Sequence, residues 1–216
     1  MKASEKYFSE FLGTLILLLS IVGSGIMGQN LSQNEGVVLL ANSLAIGFTL
    51  TFLIITFGKR SGAHFNPAVT LVMLLLKKIK LNEAIIYIFM QLIGACAGVM
   101  IANIIFGLDA IDLSSKYRSG FQLNLSEILS TFGLLMIILL NQKNKTEVVA
   151  ALVGLYIGAG IWFMSSTAFA NPAVSIARTL TDTFTGIHFS SITPFVLSQF
   201  LGAITALVVL KKFYKI

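Results

Sequence analysis

The stretch ANPAVSIAR, residues 170–178, shares Asn-Pro-Ala-Val with an earlier stretch of the same chain, FNPAVTLVM, residues 65–73. Asparagine is a favoured N-cap of a helix. Proline is favoured at the first helical position, because its missing N–H would be unpaired there in any residue. The sequence therefore predicts two helix starts of the same kind, at Asn66-Pro67-Ala68 and at Asn171-Pro172-Ala173.

The composition indicates an integral membrane protein. Of the 216 residues, 56% are hydrophobic and 11% are charged, which is more apolar surface than a soluble domain of this length can bury. Six apolar runs approach or exceed the length that spans a hydrocarbon core, and we interpret the first as a retained span rather than a signal peptide. The predicted spans are residues 8–28, 36–57, 82–106, 124–140, 147–166 and 191–211. Two shorter stretches, 67–77 and 172–181, each begin at an Asn-Pro-Ala and have the length of re-entrant half-helices.

The lysines and arginines predict the orientation of these spans. Twelve of the fifteen, from Lys2 to Lys215, fall on one side of the predicted membrane, and the other side keeps Lys116, Arg118 and Arg178. The positive-inside rule then places both termini in the cytoplasm, with the cell membrane as the expected location. The net charge of +6 is explained by topology, so we expect no nucleic-acid partner.

An internal repeat relates the two halves of the chain. Three pairs of segments recur in the same order: SEFLGT (9–14) with SEILST (126–131), NPAVT (66–70) with NPAVS (171–175), and QLIGA (91–95) with QFLGA (199–203). Their offsets of 117, 105 and 108 residues predict duplicated units of about residues 1–115 and 116–216. Each unit has three spans, so the second copy must be inverted in the membrane.

This pattern resembles the aquaporin, or major intrinsic protein, family over essentially the whole chain. The resemblance implies a single all-α channel domain over residues 1–216, with six membrane helices, two half-helices meeting near the midplane, one pore per protomer and usually a homotetramer. It implies that Asn66 and Asn171 bind the passing solute. It also implies that Glu10 and Glu127 accept hydrogen bonds from the re-entrant loops, although a proton relay is an alternative for these intramembrane carboxylates.

The sequence departs from this family at the outer constriction. Water channels of the family have an arginine directly after the second Asn-Pro-Ala, and here that position is Val174. Ungapped counting gives Ile46, Ala159 and Ala168 as the other three members of the constriction. Such a ring has no charge and no side-chain hydrogen-bonding group. We therefore expect a wide, apolar filter that admits water together with glycerol, urea or metalloid hydroxides such as arsenous or boric acid; a water-selective channel is the alternative.

Arg178 lies four residues after Val174 and so on roughly the same helix face. It could lean back toward the pore mouth and restore a positive charge there. We favour the other interpretation, in which it extends outward or pairs with Asp182 at i+4.

Two further functional classes are open to this sequence. A secondary transporter also uses inverted repeats, and a structural membrane protein with a closed pore is compatible with the resemblance. An enzyme is not expected, because no nucleophile, metal cluster or phosphate-binding loop is visible in the sequence. We likewise expect neither a cofactor nor a metal, only small neutral solutes and the lipid bilayer as partners.

Overall fold

The computed structural model describes residues 2–214, and within them it contains eight α-helices, two short 3₁₀ turns and no β-strand. The eight helices are α1 (Ala3–Leu31), α2 (Glu35–Ser61), α3 (Pro67–Leu75), α4 (Leu81–Ile105), α5 (Phe121–Asn141), α6 (Thr146–Phe163), α7 (Pro172–Ala177) and α8 (Ile192–Tyr214). The 3₁₀ turns are Arg178–Leu180 and Phe189–Ser191. Lys215, one of the cations predicted to be cytoplasmic, lies outside the described residues.

Six of the helices in the described range, α1, α2, α4, α5, α6 and α8, are long and apolar enough to cross a membrane. They match the six predicted spans, and no helix end differs from its prediction by more than about five residues. The all-α fold with six membrane helices and two short ones is thereby confirmed.

The two short helices begin at the predicted prolines. In α3 the Asn66 side chain accepts a hydrogen bond from the backbone N–H of Ala68 at 2.9 Å. In α7 the Asn171 side chain accepts from Ala173 at 3.0 Å and from Val174 at 3.4 Å. The helix α7 ends earlier than the predicted stretch 172–181, because the chain tightens into the 3₁₀ turn that starts at Arg178.

Each half of the chain contains a close helix crossing, and the residues at the two crossings are related by the offsets of the sequence repeat. A methyl group on Gly94 of α4 would overlap the Phe11 carbonyl oxygen of α1. A methyl group on Gly202 of α8 would overlap the Ile128 carbonyl oxygen of α5 in the same way. Small residues allow helix backbones to approach this closely inside a bilayer. The spacing of α1 from α4, and of α5 from α8, therefore depends on glycine.

We predict that Gly94→Ala and Gly202→Ala each destabilise the protein, because backbone cannot move aside as a flexible side chain can. Overpacking of this kind costs about 1–3 kcal/mol. The measurement is the thermal unfolding midpoint in detergent. The matched control is Gly23→Ala, whose added methyl would meet only the Phe106 ring at an ordinary 3.4 Å. Unchanged midpoints in both crossing variants would contradict the prediction.

Candidate functional site

The loops before the two half-helices are joined by a reciprocal pair of hydrogen bonds. Asn66 Nδ2 donates to the Ala170 carbonyl oxygen at 2.8 Å, and Asn171 Nδ2 donates to the Phe65 carbonyl oxygen at 2.8 Å. Each asparagine therefore caps its own helix through its oxygen and binds the opposite loop through its nitrogen. As a result, the N-terminal ends of α3 and α7 face each other in the interior of the protein.

The same loops hold non-glycine residues in the left-handed backbone region. The φ angles are 50° at Ala63 and 47° at Phe65 in the first loop, and 46° at Ala168 and 48° at Ala170 in the second. Each pair is separated by the repeat offset of 105 residues. Left-handed backbone is unfavourable for residues with a Cβ and persists only where the surroundings enforce it.

In the first half, the Glu10 carboxylate enforces the loop. It accepts hydrogen bonds from the backbone N–H groups of His64 at 3.0 Å and Phe65 at 2.7 Å, and from the Ser61 hydroxyl at 2.5 Å. Gln91 Nε2 donates to the same carboxylate at 2.8 Å. The cost of a fully buried carboxylate is thus offset by several donors, two of them from the strained loop.

In the second half, Glu127 has equivalent partners. Its carboxylate accepts from the backbone N–H groups of Phe169 at 3.0 Å and Ala170 at 2.9 Å, and from Gln199 Nε2 at 2.6 Å. Glu10 and Glu127 are therefore bound to the re-entrant loops in the way that the family resemblance implied for them.

A chain of three cavities crosses the protein at these loops. The central cavity, about 80 Å³ in volume, lies between wider vestibules of about 440 Å³ and 300 Å³. The larger vestibule is lined by Lys6, Arg60 and Lys78, so it opens on the side that the positive-inside rule makes cytoplasmic. Adjoining cavities share wall residues, His64 at the junction with the larger vestibule and Ile46 at the junction with the smaller one, which we call the outer vestibule and the outer junction. The three together form a narrow pathway with two wide ends.

The central cavity has an apolar wall and a polar one. The polar wall consists of the two loops with Asn66 and Asn171. The apolar wall is made by twelve aliphatic side chains: Leu17, Ile21, Ile46, Leu50, Ile54, Val69, Leu134, Ile138, Val153, Ile157, Ile161 and Val174. Such a lining suits small molecules that carry hydroxyl or amide groups on one side and carbon on the other.

Three of the four predicted constriction residues, Ile46, Ala168 and Val174, line the central cavity. Ala159 does not, and its assignment was wrong. Ala159 is exposed on the outer surface of α6, in a groove that contains Trp162, and Ile161 faces the cavity instead. Two residues turn a helix by about 200°, so ungapped counting from Asn171 selected the wrong face of α6.

The outer junction also contains polar side chains that were not part of the apolar constriction predicted from the sequence. The residues shared by the central cavity and the outer vestibule are Ile46, Ile161, Thr167 and Arg178. Thr167 was not among the predicted constriction residues, and its only signal in the sequence was its place beside Ala168. The outer end of the pathway is therefore more polar than the sequence predicted.

Arg178 points into the pathway and not away from it. Its side chain is only 6% exposed and forms no ion pair with Asp182 in the described part of the chain, so the favoured interpretation, in which it extends outward or pairs with Asp182, was wrong. Asp182 instead accepts hydrogen bonds from the Ser115 backbone N–H at 3.0 Å and from the Ser115 hydroxyl. These bonds from Ser115 hold the pKa of Asp182 below its ordinary value.

The part of the chain that the structure describes contains no candidate metal-binding site. Residues 2–214 contain no group of three or more His, Cys, Asp or Glu side chains placed to share an ion.

Comparison with known proteins gives one consistent result. The family model described as "Major intrinsic protein" matches residues 1–170. The aquaglyceroporin AqpS of Rhizobium meliloti (strain 1021) is 43% identical over 208 residues, covering 96% of this chain and 89% of that protein. The glycerol uptake facilitator protein-like 6 of Lactiplantibacillus plantarum is 34% identical, with 94% of each chain covered. The X-ray structure of the aquaglyceroporin from Plasmodium falciparum superposes with a TM-score of 0.81 at 25% identity, covering 98% of this chain and 97% of that one.

The position of Ile161 leads to a paired prediction. We expect Ile161→Trp to reduce solute flux by about tenfold or more, because the indole would enter the outer junction of the pathway. We expect Ala159→Trp to leave flux close to that of the native chain, because this position faces away from the cavities. The measurement is swelling of proteoliposomes in a gradient of a small neutral solute, with equal amounts of folded protein. The reverse ranking of the two variants would restore Ala159 to the constriction.

Proposed function

This chain belongs to the major intrinsic protein family, and we propose that it acts as a passive membrane channel for small uncharged solutes, glycerol among them. The observation that carries the proposal is the chain of three cavities with shared wall residues, the central one of which is lined by Asn66 and Asn171. The relatives named as aquaglyceroporins or as a glycerol facilitator support the same solute class.

Passive conduction is favoured over coupled transport by the lining of the central cavity. Among its lining residues only His64 and Arg178 are ionisable, and no carboxylate is present in that described set. A coupling proton or cation in the membrane is commonly bound at an acidic side chain in the pathway, and this lining has none. The pathway instead offers amide and backbone groups beside an aliphatic wall, which suits a neutral solute that binds weakly and moves on.

Val174 supports the passage of solutes larger than water. Its side chain is 3% exposed and lines the central cavity, at the position where water channels of the family have arginine. A valine fills less of the lumen and leaves room for a carbon backbone. We propose that the filter formed by Ile46, Ile161, Ala168 and Val174 passes glycerol, urea and neutral metalloid hydroxides such as arsenous acid. The water-selective alternative has less support from the relatives.

The proposal extends to the domain organisation, the membrane location and the oligomeric state of the protein. The chain is a multi-pass membrane protein, and we infer one channel domain over residues 1–216, built from half-repeats of about 1–115 and 116–216. We infer a location in the cell membrane, with both termini in the cytoplasm because the basic vestibule lies on that side. We further infer a homotetramer without enzymatic activity, since the relatives are channels and the family usually assembles in this way.

We predict that Val174→Arg lowers glycerol and arsenous acid permeability about tenfold or more and leaves water permeability largely intact. The long charged side chain would fill space that the larger solutes need. The measurement is stopped-flow light scattering on proteoliposomes with each solute in turn. Val174→Leu is the matched control, because it keeps the position apolar and should retain glycerol flux. A native protein that passes water but no glycerol would contradict the wide-filter proposal.

A further inference from the structure

Arginine side chains converge on the outer vestibule, on the side of the membrane with the fewest cations. Arg118 lies in the connection between α4 and α5, and Arg178 follows α7. Both line the outer vestibule, and Arg178 also lines the central cavity. Two guanidinium groups from distant parts of the sequence thus border the same entrance.

Neighbouring carbonyl groups hold the two arginines. Arg178 Nε donates to the Thr185 carbonyl oxygen, and Arg118 Nε donates to the Gly186 carbonyl oxygen at 3.2 Å. The guanidinium carbons also lie over the ring of Phe169, at 3.6 Å from its centroid for Arg178 and 5.2 Å for Arg118. A cation over an aromatic face is attracted by the ring. The two charges therefore have fixed positions.

Neither arginine forms an ion pair with an acidic side chain of the described residues, although the buried Glu127 carboxylate interacts electrostatically with both. Within residues 2–214, no carboxylate lies at ion-pair distance from Arg118 or Arg178. Their terminal nitrogens have no hydrogen-bond partner among the described residues, yet they are not sealed from solvent. Glu35 borders the same vestibule without forming an ion pair with either arginine. Guanidinium groups stay protonated in proteins, so the entrance carries two positive charges that border the outer vestibule of about 300 Å³.

We propose that Arg118 and Arg178 together form the cation barrier of the outer mouth, about one helical turn outward from Val174. This inference rests on the proposed channel function. Each half-helix N-terminus contributes only about half a positive charge, whereas the two arginines contribute whole charges at the entrance. Anions drawn to this charge would next meet the aliphatic residues Ile46 and Ile161, where the loss of hydration opposes their entry.

In this arrangement, the residue at position 174 determines the width of the pore, and the arginines further outward provide its positive charge. Val174 replaces a long charged side chain by a short apolar one, and the two arginines place their charge further out, where both line the outer vestibule. Their unpaired N–H groups are also placed to donate to the hydroxyl groups of an entering solute. A purely structural role, in which the arginines only tie the 181–191 segment to the helices, is the alternative that an experiment has to exclude.

The test uses the full-length protein in liposomes. Proton and sodium leak is measured under an imposed membrane potential with entrapped indicator dyes, and glycerol flux is measured by light scattering on the same vesicles. We expect Arg118→Ala and Arg178→Ala each to raise cation leak per unit of glycerol flux, and the double variant to raise it about tenfold or more. We expect Arg118→Lys and Arg178→Lys to retain most of the cation exclusion, because they keep the charge.

The control is Lys143→Ala, which removes an exposed cation from the turn between α5 and α6 that lines none of the three cavities, and it should leave the leak unchanged. A double alanine variant that conducts glycerol and remains as cation-tight as the native chain would overturn this inference. So would lysine variants that leak as much as the alanine variants, because loss of packing would then explain the effect. A native protein without glycerol flux would overturn the proposed channel function itself, which is a distinguishable result.

Discussion

Backbone that leaves the helical conformation inside a membrane must find all its hydrogen-bond partners within the protein. This constraint acts most strongly where the two re-entrant loops meet. Asn66 and Asn171 satisfy it by capping their own helices and donating to the opposite loop. Because each loop completes the other, neither half of the chain can form its half of the pore without the second half.

The buried carboxylates also provide hydrogen-bond partners for the backbone of the loops. Glu10 and Glu127 bind the N–H groups that the left-handed loop residues would otherwise leave unpaired. Gln91 and Gln199 in turn donate to these carboxylates from α4 and α8. The glycine crossings bring those helices close enough for the contact. Glycine therefore sets the helix spacing, this spacing lets the glutamines reach the carboxylates, and the carboxylates hold the loops.

Local chemistry and repetition made much of this fold predictable. Hydropathy located the six spans, and the Asn-Pro pairs located the half-helix starts, because both signals depend on a few adjacent residues. The left-handed conformation of Ala63 and Ala168 has no such signal, since neither position has the glycine or asparagine that usually marks it. The N–H groups of these two alanines donate to the Ser61 and Ser166 hydroxyls. The residues that follow them are held by Glu10 and Glu127, which are distant in sequence.

The incorrect predictions at Ala159 and Arg178 have two causes, an error in helix register and contacts between residues distant in sequence. Ala159 was chosen by counting back from Asn171, and a shift of two residues on α6 was enough to replace it with Ile161. Helix periodicity correctly related Arg178 to the face of Val174, but the direction of its side chain is set by the Thr185 carbonyl and the Phe169 ring. A local i+4 rule favoured Asp182, which is already bound by Ser115.

The structure separates two properties that a single arginine after the second Asn-Pro-Ala would combine. An arginine at position 174 would both narrow the lumen and repel cations, so a wider pore would lose part of its charge barrier. Here valine occupies that level, and a charge one turn further out can act across the vestibule because electrostatic interactions extend several ångströms beyond contact. Steric selection requires contact with the solute, and electrostatic selection does not. A channel can therefore widen its filter for polyols and keep its positive potential, provided that the arginines are held where water does not fully screen them.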